Sequence, residues 1–403
     1  STDIWFSRNL IGCNNCFGCV NLRNKSYQVY NQQYSKEAYK EYLANLNFGS
    51  HKTIADLKKR AHEFWLAHPM RFTLAIACVN SIGEHIERSK NLKYCYTVHE
   101  SDHLAYSQMI EPPCTDSYDY TNFGWSADQM YEALTSGNET SRIKFSWECW
   151  KACQDLEYCI WCPGSSNLFG CVGLHGKQYC ILNKQYTKEE YFKLREKIIA
   201  HMNDMPYTDK RGRVYKYGEF FPPEFSPFAY NETIAQDFFP LTKAEAEKKG
   251  YLWREPERRE YEPTMKAADL PDDVKDIQDE ILKAIIACAD CGKSYRIIPM
   301  ELQFYRRIPL PVPRKCPECR FKDRFKFVNP PKFWPGRCMC NGTTSDSQRT
   351  TNNGSKSSVV SSTSYVNAAK HSHGAEHCAV EFETSYAPER KEIIYCEACY
   401  NAE

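Results

Sequence analysis

Apolar and polar positions follow different rhythms in different parts of this chain. Over residues 53–66, Ile54, Leu57, Ala61, Phe64 and Trp65 recur at helical spacing and predict an amphipathic packing helix. Thr187 with Glu190, and Thr242 with Glu245, each form a capping box, so helices are predicted to start there, the second stopping at Gly250. Pro271 suits a first helical position, and Val274, Ile277, Ile281, Leu282 and Ile285 form a stripe that predicts a helix running towards Cys288. The first 195 residues otherwise carry short β-type runs, and residues 204–240, rich in Pro and aromatics, predict an ordered but irregular wrap.

Internal repetition dominates the β-type region. Residues 17–39 (FGCVNLRNKSYQVYNQQYSKEAY) align without gaps on residues 169–191 (FGCVGLHGKQYCILNKQYTKEEY), with 13 of 23 positions identical. Both are expected to form a short strand pair ending at a helix start. Ser-x-Asn-Leu-x-x-Cys occurs three times, ending at Cys13, Cys95 and Cys171, and Cys153, Cys162, Cys171 and Cys180 fall nine apart. Such small periods fit the stacked coils of a β-solenoid. They also fit an irregular cysteine-rich β domain in which a few spacings coincide, because residues 96–150 keep no clean period.

Length and composition narrow the class. At 403 residues the chain exceeds the roughly 100–200 of one domain, so several units are expected. Its 27 Tyr and 21 Cys add groups that stack or ligate. A net charge of +1 gives no global attraction to nucleic acid or membrane. No apolar run approaches the roughly 18 residues of a spanning helix, so no membrane partner is expected. An odd number of cysteines in C-x-C and C-x-x-C pairs suits metal thiolates better than disulfides, and a cytoplasmic location is expected. The chain opens at Ser1 with a cysteine motif already at Cys13, a start that a fragment of a longer protein would also show, so compartment is judged from cysteine usage.

Cys288-Ala-Asp-Cys291 and Cys316-Pro-Glu-Cys319 are knuckles separated by 24 residues. Each aims two thiolates at one point, and together they supply the tetrahedral four-sulfur set that zinc prefers, with a loop or short helix at 299–307 between them. The alternatives are unligated thiols, or redox pairs that would need a βαβ context absent here. Cys338, Cys340, Cys396 and Cys399 predict a second zinc, with Cys378, His371 and His373 as competing ligands; surface cysteines beside a His-rich loop are the alternative. Between these half-sites, 18 of the 24 residues 341–364 are Ser, Thr, Asn or Gly, which predicts a disordered insertion over 341–365. Cys13, Cys16 and Cys19 lack a fourth partner and suit a buried column of small hydrophobes better than a metal site. The stretches CADCGKSYRI, ELQFYRRIPLPVPRKCPECRFKDR and YAPERKEIIYCEACY, with the paired FGCV…NKQY, resemble cysteine-rich proteins of uncultivated bacteria that carry a zinc-ribbon segment. That group has no established activity, so the resemblance implies only the zinc-ligand role of Cys288, Cys291, Cys316 and Cys319.

Catalytic motifs are missing. His62-Glu63 is followed by Leu66 where a zincin needs His, Gly176-Lys177 lacks the earlier Gly of a phosphate loop, and neither G-x-G-x-x-G nor G-x-S-x-G occurs. Local charge is more telling, with twelve Lys or Arg against three acidic residues over 293–337. Arg320, Lys322, Arg324 and Lys326 alternate with Phe321 and Phe325, so the cations suit phosphates and the rings suit unpaired bases. Alternatively the rings are a small ribbon core with a solvated face, or the stripe docks an acidic protein segment such as 255–280.

The sequence thus predicts a multidomain α+β protein. A cysteine-rich, β-dominated repeat region spans 1–195, a Pro/aromatic-rich segment and charged linker spans 196–270, and a zinc-ribbon or treble-clef-like module spans 271–403. Its expected role is non-catalytic, zinc-dependent binding or scaffolding, in contact with nucleic acid or an acidic protein segment. The alternative is a hydrolase or carbohydrate-active enzyme on the β region, which convergent carboxylates within 80–190 would favour.

Overall fold

The computed structural model describes residues 1–255, 261–342, 367–374 and 376–403, and mixes helices with many short strands. Residues 343–365 of the insertion expected from sequence lie outside the described residues. Contacts divide the chain into two compact units, Ser1–Phe72 with Glu257–Val328 and Trp334–Glu403, and Thr73–Pro256 with Asn329–Phe333. The division joins both ends of the chain in one unit and cuts the linear block 1–195 between Phe72 and Thr73.

The second unit is built on a twelve-stranded sheet, parallel until its last strand. Within it Thr140–Trp147, Gln154–Glu157, Ser166–Phe169 and Gln178–Ile181 are consecutive neighbours; Ser141 faces Gln154, Gln154 faces Ser166 and Ser166 faces Gln178. Partners only 12 or 13 residues apart leave no room for a helical crossover, so the chain turns through short corners back to the same edge. Left-handed residues recur at every third position, within the strands as well as between them: Asp155, Tyr158, Trp161, Gly164, Asn167, Gly170 and Gly173 have φ between 52° and 68°. The inward positions also recur every third residue, at Cys153, Leu156, Cys159, Cys162, Ser165, Leu168 and Cys171, all fully buried.

An N–H held inside such a stack needs an acceptor, because a buried unpaired amide costs about 1–3 kcal/mol. Small hydroxyls supply it. Ser117 Oγ accepts from Met130 N at 3.0 Å, Ser136 from Cys149 N at 3.1 Å, Ser146 from Cys159 N at 3.0 Å and Ser165 from Lys177 N at 3.1 Å. Each hydroxyl donates in turn to a carbonyl two residues earlier. Cys171 does the same with sulfur, donating to Phe169 O and accepting from Asn183 N at 3.4 Å. Burial pushes the Cys95 and Cys114 thiols up to about 11 and 12, which keeps them protonated donors.

The first unit opens with a shorter stack, Thr2–Trp5, Asn14–Phe17 and Ser26–Val29, in the same register: Thr2 faces Asn14 and Asn14 faces Ser26. Cys13, Cys16 and Cys19 lie inside it with Ile4, Leu10 and Leu22. Both stacks end alike. Ser26–Val29, Gln32–Gln33 and helix Lys36–Ala44 correspond, 152 residues on, to Gln178–Ile181, Lys184–Gln185 and helix Lys188–Asp204. The Asn31 amide pairs with both backbone polar groups of Val20, and Asn183 does so with Val172. Tyr39 and Tyr191 are buried in the aromatic clusters around Phe17 and Phe169. The matching segments thus cover stack ends that would otherwise expose apolar residues and an unpaired strand edge.

Helix His51–Leu66 buries Ile54, Leu57 and Ala61, and Lys243–Lys248 starts at its expected capping box. The helix predicted after Pro271 is absent. Two 3-10 turns, Val274–Asp276 and Asp279–Leu282, stand there instead. Asp273 accepts from Lys275 N, a local bond that competes with helix, while Ile277 and Ile281 are drawn into a cluster with Ile286, Ile297 and Leu302. No described helix is long and apolar enough to cross a membrane.

Candidate metal centres

Among the described residues, three groups of Cys and His side chains, all in the first unit, could hold a metal ion: Cys288, Cys291, Cys316 and Cys319; Cys338, Cys378, Cys396 and Cys399; and Cys340, His371, His373 and Cys399. In each, the ligand atoms lie within 4.8 Å of one another.

The first group is assembled by a hairpin and a helix. Ile286–Ala287 pairs antiparallel with Ser294–Tyr295, and the turn between them, closed by Gly292 at φ +72°, carries Cys288 and Cys291. Cys316 is the N-cap of helix Pro317–Phe325, and Cys319 lies in its first turn. Backbone amides aim at the sulfurs: Cys316 N donates to Cys288 Sγ at 3.2 Å and Cys319 N to Cys316 Sγ at 3.5 Å. Cys291 Sγ and Cys316 Sγ are 3.8 Å apart, which is about the edge of a tetrahedron with 2.3 Å metal–sulfur bonds. Against the desolvation of burial, amides of Cys291, Cys316 and Asp290 pull the Cys288 thiol down to about 6. A thiolate, which is what a metal needs, is therefore favoured. Arg314 braces the site by donating to Ala267 O at 2.8 Å and Leu270 O at 2.9 Å.

The second group repeats this plan. Trp334–Arg337 pairs with Glu381–Thr384 and leads into Cys338, Cys396 is the N-cap of helix Glu397–Ala402, and Cys396 N donates to Cys338 Sγ at 3.2 Å. Ile393–Tyr395, just before the helix, pairs in parallel with Pro69–Arg71 and so ties this end of the chain to the N-terminal segment. The four cysteines predicted for a second zinc do not form one set. Cys378 joins Cys338, Cys396 and Cys399, whereas Cys340 faces the histidines, 3.1 Å from His371 Nδ1 and 3.3 Å from His373 Nε2.

Supporting groups absent from the sequence-based set fix the ring orientations. His371 Nε2 lies 2.8 Å from Glu403 Oε1, both side chains buried, and His373 Nδ1 lies 2.7 Å from Glu376 O. Those partners assign the N–H to each outer nitrogen and leave the inner lone pairs facing the sulfurs. Asn367 donates to Cys340 Sγ at 3.2 Å and accepts from Tyr395 OH. Nothing in local spacing announces Asn367 or Glu403.

The basic stripe is a helix surface rich in internal partners. Arg320 pairs with Glu301 and Tyr305, Lys322 with Glu318, and Lys326 with Asp323. Phe321 and Phe325 lie side by side with centroids 5.4 Å apart, and Arg324 is exposed. Within 80–190, Asp119 and Glu132 are neighbours in register across adjacent strands. Burial, then Asp119 and Glu219, pushes Glu132 up; one of its oxygens is buried without a hydrogen-bond partner.

Compared with known protein families, curated proteins and solved structures, this chain finds no match.

Proposed function

We propose that the chain is a zinc-binding, non-catalytic scaffold whose metal sites lock the C-terminal third into folded modules. One observation carries this: every candidate set has four protein donors, and closed four-ligand sets are structural, whereas catalytic zinc keeps a position open for water or substrate. Soft thiolates with imidazole in tetrahedral array favour zinc over harder cations. The hairpin knuckle joined to a helix N-cap knuckle supports a treble-clef-like module, and the 12- or 13-residue parallel register supports a β-solenoid in each unit. Free thiols throughout suit a reducing, cytoplasmic setting. Ion pairing along 315–326 favours a solvated structural face there over a nucleic-acid groove, with Arg324 the cation best placed for an acidic partner.

The test is metal analysis of chain purified without chelators, followed by melting with and without a strong chelator. Bound zinc is expected, with chelation unfolding the first unit, since structural zinc supplies about 10–16 kcal/mol to small modules. A metal-free chain that melts unchanged would overturn the proposal. A second reading, the carbohydrate-active enzyme, is favoured by Asp119 and Glu132 between the stacked pairs Tyr94–Tyr106 and Phe145–Tyr158. Polysaccharide cleavage abolished by Glu132→Gln would install it instead.

A further inference from the structure

Cys399 belongs to two of the three ligand groups. We infer that these two groups are one dinuclear metal centre in which the Cys399 thiolate bridges both ions; this rests on the zinc-binding function proposed above. One ion would take Cys338, Cys378, Cys396 and Cys399, and the other Cys340, His371, His373 and Cys399.

The count of donors requires the bridge. Seven side chains converge, and a single tetrahedral ion satisfies at most four. If it sat among the sulfurs, the single proton of the Cys340 thiol could serve only one of the two imidazole lone pairs that face it, in a place where His371 is 5 % exposed and Cys340 fully buried. Two ions without sharing would leave one of them three-coordinate. With sharing, both shells close. Charge also favours the shared arrangement. Five thiolates and two neutral imidazoles around two dications leave one net negative charge, whereas four thiolates around one dication leave two.

The surroundings are built for both shells. Each histidine has its outer nitrogen engaged, His371 by Glu403 and His373 by the Glu376 carbonyl, the arrangement by which proteins orient metal-bound imidazole. His373 Nε2 stands 3.2 Å from Cys399 Sγ and 3.3 Å from Cys340 Sγ, between the two sulfurs of its own shell. Cys378 Sγ and Cys396 Sγ, in the all-sulfur group that also holds Cys399, are 3.9 Å apart, the tetrahedral edge again. The ligands come from both sides of residues 343–366, so the centre fastens together the two ends of that segment.

The full chain, loaded with cadmium-113, tests the bridge without any mutation. In a proton–cadmium correlation spectrum, the β-protons of Cys399 should couple to two cadmium resonances and those of Cys338 and Cys340 to one each. Coupling of Cys399 to a single cadmium overturns the bridge. Native mass spectrometry of the zinc form supplies the second readout: three ions in the wild type, one in Cys399→Ser and two in His373→Ala are expected. Two ions retained in Cys399→Ser would count against bridging. Zinc bound at Cys288, Cys291, Cys316 and Cys319 but absent from the other seven ligands would overturn the dinuclear centre alone, whereas no zinc anywhere would overturn the zinc-binding function itself.

Discussion

Replacing Ser146 by Ala removes one oxygen from a place that water does not reach. Ser146 is fully buried; its Oγ accepts from Cys159 N at 3.0 Å and donates to Lys144 O at 2.7 Å. Lys144 O keeps a second partner, Tyr158 N at 3.2 Å, so the mutation strands only the Cys159 amide. One stranded buried amide costs about 1–3 kcal/mol. For a unit of this size each kcal/mol moves the melting temperature by about 2–4 °C, so Ser146→Ala should melt about 2–12 °C lower. Ser146→Cys should recover most of that loss, because sulfur can accept a corner amide as Cys171 does from Asn183. Thermal melts followed by circular dichroism give the shift, and hydrogen exchange at the Cys159 amide localises it. Equal melting of Ser146→Ala and wild type would refute the idea that interior hydroxyls and thiols are there to pair corner amides. So would a Ser146→Cys variant as damaged as Ser146→Ala.

Two further outcomes are expected in the first unit. Against the desolvation of burial, bonds and charge from Arg390, with Arg8 beyond, hold the Glu392 carboxyl below its ordinary range. A depressed folded-state value contributes stability that is present above the unfolded carboxylate value of about 4.3 and is lost as pH falls through the folded value. The melting difference between wild type and Glu392→Gln should therefore be largest near neutrality and vanish in acid; a difference constant with pH would contradict it. Arg320→Gln, which removes contacts to Glu301 and Tyr305, should destabilise by about 1–2 kcal/mol and leave any single-strand binding in fluorescence anisotropy unchanged. Unchanged melting with weaker, salt-dependent binding would instead assign Arg320 to a phosphate.

What the sequence made legible was local. The C-x-x-C pairs at Cys288 and Cys316 are read directly, because a knuckle is a turn of a few residues whose ligand spacing is its geometry. The partners of Cys340 were not, since they are decided by folding across residues 343–366, and local spacing favoured Cys396 over His371. The coil period of the β region showed most directly in cysteine spacings of nine, a multiple of an inward period of three that belongs neither to helix nor to flat strand. Residues 96–150 blurred it for a simple reason. There the register advances by 13, Thr115 to Asp128 and Ala127 to Thr140, while after Gln154 it advances by 12. One extra residue per turn destroys the spacing without disturbing the stack. The stripe at 274–285 misled in the opposite way, as helical spacing produced by residues that bury without a helix.

The same residue type therefore does two chemical jobs in this chain, and backbone geometry separates them. In the N-terminal stack Cys19 sits between the carbonyl two residues back and the amide of the next turn, Phe17 O and Asn31 N, and burial outweighs that single amide and holds its thiol up. At the hairpin turn several amides point at one sulfur, and Cys288 is held down to about 6 despite its burial. A dication can displace a proton from the second kind of thiol far more readily than from the first. Counting cysteines alone would assign 21 potential ligands, whereas among the described residues it is those of the C-terminal third that gather, with two histidines, into groups whose ligand atoms lie within 4.8 Å of one another.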